Sequence, residues 1–289
     1  MSLRRLLQQR LAGQQEIGEI LTSMKNLAYM ETRKLGRLLV NQQLLMERIE
    51  QIAADFLSFH PGVLPPAESG QRTYLVVGSR RGLCGDFNAR LVSALHDELA
   101  PRKGDDLIIA VGYKLRQHLT DLPARRIELE GGDVAEEIPR VLQGIVAELD
   151  RQPRQAIGSL IALYHREPVP APERRQLLPP FTCTPSRPPP VGLPPLLDLP
   201  PRQFLLGLTE QYLYAALHAV LYQSLAAENQ QRIRHLDGAV HHLEERSAAL
   251  QRRIRALRQE EIIEEIEVIL LNAVGLVEPS QPRDPGRTY

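Results

Sequence analysis

The chain has no Trp, and aromatic residues make up only 4% of its 289 residues. Large cores are normally built around such side chains, so their scarcity argues for extended structure. Cysteine is almost absent as well. Cys84 and Cys183 are too few for a disulfide framework or a zinc site by themselves, and a reducing compartment is the natural reading. Neither sign of charge is in excess: 35 Lys+Arg balance 35 Asp+Glu. A nucleic-acid binder carries a basic surplus to replace phosphate counterions, so no nucleic-acid partner is expected. No apolar run is long enough to cross a bilayer. The stretch Val268–Val277 contains Asn272 and is about half of the ~20 residues required. The opening MSLRRLLQQR lacks the uninterrupted apolar segment of a secretory signal. Work at a membrane is therefore expected to pass through partners.

Two long segments are nearly free of helix breakers. The first, Leu3 to Phe59, has no Pro before Pro61 and is rich in Leu, Gln, Arg and Glu, all good helix formers. Ile17, Met24, Leu38, Leu45 and Ile52 form one heptad row, and Leu21, Ala28, Leu35, Ile49 and Phe56 a second. Such a seam marks a coiled coil. His60-Pro61-Gly62 ends it. The second segment, Arg202 to Val277, has no Pro until Pro279. Its seam runs through Ile233, Leu236, Val240, Leu243, Ser247, Leu250, Ile254 and Leu257. It then slips by one residue and continues through Ile262, Ile266, Ile269 and Ala273. Its outer face carries five Arg between 246 and 258, then five Glu between 260 and 267, the ordinary look of a solvated helix face. Each seam Leu or Ile is worth roughly 1.5–3 kcal/mol when buried. The two segments are therefore expected to pair antiparallel, which also brings the ends of the intervening chain together. On this reading residues 24 and 258 lie close to one another.

The middle has a different texture. Tyr74–Val77, Leu107–Val111 and Ile157–Tyr164 read as buried strands. A Gly-rich turn and a helix to Leu99 follow the first, Gly112 and another helix the second. An amphipathic helix from Asp133 to Leu149 precedes the third, with Asp133 as N-cap and Glu136 at N3. Alternation of this kind predicts a mostly parallel, Rossmann-like α/β insert. From Pro168 to Pro201 the chain is saturated with Pro and reads as an extended linker or wrapping loop, neither helix nor central strand. The fold class is thus α+α/β, a long antiparallel coiled coil of N- and C-terminal helices with a Rossmann-like α/β insert. The expected parts are 1–60, 61–201 with the Pro-rich return, 202–277, and a flexible tail at 278–289.

No enzyme signature stands out. The glycines of VVGSRRGLCGDFN fit neither G-x-G-x-x-G nor G-x-x-x-x-G-K-[ST], so a tight turn is a better reading than a phosphate cradle. Ser79 lacks the flanks of a nucleophile elbow, and Cys84 reads as a small buried thiol rather than a reactive one. No His pair stands three or four apart, and no carboxylate pair is singled out for acid–base work. No catalytic residue, cofactor or metal is assigned.

The same turn, Ser79-Arg80-Arg81-Gly82-Leu83-Cys84-Gly85-Asp86-Phe87-Asn88, resembles the S-x-R-G-L-C-G-x-x-N stretch of the gamma subunit of F-type ATP synthases. Ile20–Ala28, with Met24 in place, is similar to that family's I-T-x-A-M-x-x-V-A run, and Arg33-Lys34 also match. So do Gln176-Leu177-Leu178-Pro179, Glu228 with Arg232, and the series Arg258-Gln259, Ile262, Glu265-Ile266, Ile269. Ile263 replaces a family Thr, Val268 an acidic residue and Asp86 a Gly, which points to a divergent branch such as the variant bacterial F-type ATPases. The resemblance implies a central-stalk rotor subunit without catalytic residues. Its shaft would stand in a hexamer of alpha and beta subunits, and its foot would rest with the epsilon subunit on the c-ring. That places it at the cytoplasmic face of the bacterial plasma membrane. The resemblance assigns Met24, Lys25, Arg258, Gln259 and Glu265 to rotor–stator contact, and Gly82, Cys84, Gly85 and Asn88 to a structural turn. Plain seam packing competes for Met24, and ordinary helix-surface charge for Arg258, Gln259 and Glu265. Two other functions compete with the rotor: a non-rotary coiled-coil scaffold with an α/β recognition domain, and an enzyme using the Gly turn.

Overall fold

The computed structural model describes residues 3–64, 71–100, 106–120, 125–152, 157–168, 171–181 and 196–275. Cys183, the core of the Pro-rich return and the 278–289 tail lie outside them. Helix α1 spans Leu3–Phe59 and α4 spans Pro201–Gly275. Pro fits the first turn of α4, where its missing N–H has no partner to lose. Between them come strand β1 (Gln71–Val77), helix α2 (Phe87–Leu99), strands β2 (Leu107–Val111) and β3 (Arg125–Leu129), helix α3 (Ile138–Asp150), and strands β4 (Ile157–His165) and β5 (Pro172–Leu178). The chain divides into two compact units, 24–237 and 1–23 with 238–289.

In the 24–237 unit the strands form one sheet in the order β3-β2-β1-β4-β5. β1 runs parallel to β2 and β4, and β2 parallel to β3, with Tyr74 opposite Ile108 and Ile161. β5 is antiparallel to β4. The mostly parallel insert is therefore as expected, with two strands added at the edges. Neither reads as a strand in the sequence, for the same reason. Arg125–Leu129 and Pro172–Leu178 are half-exposed edge strands, so they carry charge instead of a continuous apolar run. The reading of 172–178 as linker is thereby corrected, and a Pro at the first residue of an edge strand breaks no ladder.

Alternate residues of the central strands face two apolar layers. Leu75, Val77, Ile109, Val111, Ala162 and Tyr164 pack with α1, α3 and α4. Tyr74, Val76, Ile108, Ala110 and Leu163 pack with Phe87, Leu91 and Leu95 of α2. The segment after Gly112 makes only a short 3-10 turn, Leu115–His118, in place of the expected helix. Asp133 does not cap α3. A 3-10 turn at Ala135–Glu137 intervenes, and Glu137 Oε2 accepts from the Asp133 N–H at 2.8 Å. The Asp133 carboxylate is instead engaged by Arg81 (3.0 Å) and Arg80 (3.5 Å).

α1 and α4 run antiparallel within each unit. In the 24–237 unit Lys25 Nζ meets Asp237 Oδ1 at 2.8 Å, Gln42 Nε2 donates to the Ala215 carbonyl at 2.7 Å, and the rings of Phe56 and Phe204 lie 4.7 Å apart. In the other unit Arg4 meets Glu261 at 2.8 Å. The row Ala28, Leu35, Ile49 and Phe56 is buried as expected. Its companion is not the row expected. Leu45 and Ile52 are about half exposed, while their neighbours Met46 and Ala53 are buried. On α4 the row from Ile233 to Leu257 is buried or half-buried. The expected slip to Ile262, Ile266 and Ile269 leads onto exposed residues, because the inward row continues in register to half-buried Glu261. The side chain of Ala273 lies outside the description.

Candidate functional site

The loop after β1 is the most constrained piece of the insert. The Gly78 N–H donates to the Val111 carbonyl (2.8 Å), and the Lys114 N–H to the Ser79 carbonyl (3.0 Å), so this turn is fastened to the one after β2. Asn88, in the first turn of α2, accepts from the Ser79 N–H through Oδ1 (2.9 Å). Its Nδ2 donates to Ser79 Oγ (2.8 Å). Cys84 Sγ lies 3.4 Å from the same hydroxyl. Gly85 has φ +61, and Leu83, on the other side of Cys84, holds φ +64, a conformation that costs a residue with Cβ about 1–2 kcal/mol. Gly82 sits in open space, whereas a Cβ at Gly78 would come 2.7 Å from Asn88 Oδ1. Of the glycines of this turn, the one with the strictest steric demand is therefore Gly78, which lies just ahead of the family motif. The N–H groups of Gly78 and Ser79 are already spent on protein acceptors, an arrangement unlike a phosphate cradle, whose N–H groups point at the ligand.

What holds the strained turn is a buried ion pair on α4. Arg232 donates through Nε to the Gly82 carbonyl (3.3 Å) and through Nη1 to Asn229 Oδ1 (2.7 Å). Its Nη2 donates to Glu228 Oε1. Glu228 and Arg232 are 3% and 6% exposed. Burial pushes the Glu228 carboxyl up to about 7, against the opposing pull of Arg232. The Arg81 backbone also hydrogen-bonds Glu228. Burial likewise raises the Cys84 thiol, the setting of an unreactive cysteine.

A second set of charges joins the turn to α1 and to the loop before α3. Arg80 meets Glu137 at 2.8 Å, and Lys34 of α1 pairs with Glu136. Next to β4 a cavity of about 170 Å³ is lined by Asp86, Phe87, Arg90, His165, Glu167 and Arg234. Its charges are paired, Arg90 with Asp86 (2.7 Å) and Arg234 with Glu167 (2.9 Å). His165 Nε2 lies 2.9 Å from the Phe87 carbonyl, and burial lowers its pKa. Among the described residues no three His, Cys, Asp or Glu side chains gather to hold a metal ion.

The structure separates the residues assigned to rotor–stator contact into two groups. Met24 is half-buried and Lys25 is tied to Asp237; both belong to the 24–237 unit. Arg258, Gln259 and Glu265 are exposed on α4 in the other unit. Within its own unit the partner of Lys25 on α4 is Asp237, and in the other unit the partner of Glu261 on α1 is Arg4.

The architecture defines an α/β sheet unit carried on antiparallel chain-terminal helices, with its first turn clamped to the C-terminal one. The family model described as ATP synthase matches residues 3–274, and the chain belongs to that family. The ATP synthase gamma chain of Clostridium botulinum (strain Langeland) is 25% identical over 209 residues, covering 70% of this chain and 72% of the relative. That of Heliobacterium modesticaldum is 24% identical over 275 residues, covering 89% and 93%. A chain of the Euglena gracilis mitochondrial ATP synthase, OSCP/F1/c-ring, superposes with a TM-score of 0.63 at 14% identity, covering 98% of this chain and 99% of that one. A central stalk/c-ring chain of the Tetrahymena thermophila enzyme gives 0.54 at 14%, covering 76% and 99%. No described helix is long and apolar enough to cross a membrane.

Proposed function

We propose that the chain is the central-stalk rotor subunit of an F-type ATP synthase. It couples ion flow through the c-ring to ATP synthesis or hydrolysis in the alpha/beta hexamer. The observation that carries this reading is a family match over residues 3–274 on a chain whose two ends pair antiparallel. The nucleotide chemistry belongs to the hexamer, and this chain supplies mechanical coupling. The 1–60 and 202–277 segments are the shaft. The 61–201 insert is the foot, which meets epsilon and the c-ring at the cytoplasmic face of a bacterial plasma membrane.

The structure suits that task energetically. One ion crossing 100 mV releases about 2.3 kcal/mol. Leu35, Ile49, Phe56 and Leu236 are each buried, and each contributes roughly 1.5–3 kcal/mol. A single step therefore matches about one layer, and several layers together resist unwinding. The fastening of the Gly turn to α4 by Arg232 makes the foot move with the shaft.

Arg258 and Gln259 form a polar catch on a beta subunit, with Glu265 nearby, and Met24 and Lys25 also contact the stator. Replacing Arg258 and Gln259 by Ala in the reconstituted enzyme is expected to lower the ratio of ions pumped to ATP hydrolysed. An unchanged ratio removes the catch.

A further inference from the structure

Strand β5 closes the sheet at one edge, and among the described residues it has a strand neighbour on one side only. An element held by a single ladder is the part of a sheet most open to local detachment. Two consecutive arginines compensate. Successive residues of a strand point to opposite faces, and Arg174 and Arg175 each grip a helix. Arg174 Nε meets Glu98 of α2 at 2.9 Å. Arg175 Nη2 donates to Glu50 Oε1 of α1 at 3.2 Å, and the same guanidinium hydrogen-bonds the side chain of Tyr212 on α4. The Tyr212 ring lies 4.8 Å from that of Phe181, just beyond β5. Arg175 is therefore bound to both chain-terminal helices from one position on the sheet.

The two bonds are unequal. The Glu50 carboxylate is half-exposed, where an ion pair adds little. Tyr212 is 6% exposed, so its bond to the guanidinium is buried and charge-assisted, the stronger kind. Further polar links between the insert and α4 lie well away. Ser224 Oγ donates to the Val77 carbonyl at 3.0 Å, and Arg232 reaches the Gly82 carbonyl. From Tyr212 it is about 18 Å of helix axis to Ser224 and about 30 Å to Arg232. Apolar layers fill the space between. Apolar burial is non-directional and resists sliding less sharply than a hydrogen bond, whose length and angle are narrowly set. An insert bonded at one end only is free to swivel on that point.

We propose that Arg175 is a positioning residue for torque transfer: with Tyr212 it forms a second attachment that keeps the insert from turning on the helices when the two are driven against a load. The proposal rests on the rotor reading and deepens it by naming where force crosses between foot and shaft. Torque entering at the insert shears the sheet against α1 and α4. The Arg232 link and the Arg175–Tyr212 link oppose that shear as a pair, and neither alone resists rotation about itself. Each charged hydrogen bond lost makes a displaced arrangement on the order of tenfold more populated.

The test is ATP-driven ion pumping by the reconstituted enzyme, followed to the steady gradient it sustains. Tyr212→Phe keeps the ring and removes only the hydroxyl, and Arg175→Leu removes both bonds. Each is expected to leave the ions pumped per ATP hydrolysed unchanged at zero gradient and to lower the steady gradient on the order of twofold. The double variant should lose no more than Arg175→Leu alone, because the two side chains act as one link. Arg175→Lys, which keeps a cation beside Tyr212, should recover part of the gradient. Leu95→Val, in the α2 layer, destabilises the insert without touching this link and should sustain the wild-type gradient. An equal fall from Leu95→Val, or wild-type gradients from both Arg175→Leu and Tyr212→Phe, would overturn the attachment and leave the rotor reading standing. A wild-type chain that neither joins the alpha and beta subunits nor supports any pumping would overturn both.

Discussion

Arg232→Ala is the most telling single perturbation of this protein. The substitution removes the donor to the Gly82 carbonyl, the donor to Asn229 Oδ1 and the counter-charge of Glu228. Losing hydrogen bonds to buried acceptors costs about 1–3 kcal/mol. Leaving a buried carboxylate without its cation raises the total to about 3–5 kcal/mol. The second part depends on pH. Glu228 is raised from 4.5 to about 7 in the folded protein, so it binds a proton more readily folded than unfolded. Its contribution to stability is therefore full below about 4.5 and is lost as pH rises through about 7. Without Arg232, which pulls that value down, the loss continues to higher pH. The destabilisation measured by urea unfolding should thus be about 1–3 kcal/mol at pH 6, from the lost hydrogen bonds alone, and grow between about pH 7 and pH 9. Adding Glu228→Gln to the Arg232→Ala background should abolish that growth. A destabilisation that is the same at both ends of the range would refute the reasoning.

Gly78→Ala drives a Cβ to 2.7 Å from Asn88 Oδ1 and 2.8 Å from Leu115 Cβ, and should destabilise by about 1–3 kcal/mol. Gly82→Ala meets nothing within 4 Å and should leave the unfolding midpoint nearly unchanged; equal losses from the two would contradict this account of the turn. Cysteine pairs at 25 with 237 and at 4 with 261, where ion pairs now stand, should crosslink within one chain through a short bifunctional reagent. Crosslinking only between chains would contradict the antiparallel register.

Particular residues show why some elements were legible and others were not. β1 and β2 could be read because both faces of Tyr74–Val77 and Leu107–Val111 are buried, which forces an unbroken apolar run. β3 and β5, with one side open, could not. On α1 the row Ala28, Leu35, Ile49 and Phe56 was plain, but its true companion holds Lys25, Thr32, Leu39, Met46 and Ala53. Lys25 reaches Asp237 and Thr32 is also polar, so the apolar period of that row is confined to Leu39, Met46 and Ala53. Glu228 and Arg232 were visible as family residues. That they hold a strained turn at Leu83, and that Glu228 titrates near 7, depends on burial, which no spacing reports.

The amino-acid order by itself determined two long helices, one buried row on each, the stop at His60-Pro61, three buried strands and the chain's family likeness, because each follows from local period or local composition. Register was left to the tertiary structure. A seven-residue repeat looks the same after sliding by seven, so the pattern cannot say which layer of α1 meets which layer of α4. Asp237, the partner of Lys25, stands three heptads before Arg258, and both choices satisfy the same stripe. Contacts such as Arg4–Glu261 and Gln42–Ala215 break that degeneracy, each within its own unit, because a side chain reaches one partner and not its heptad repeat.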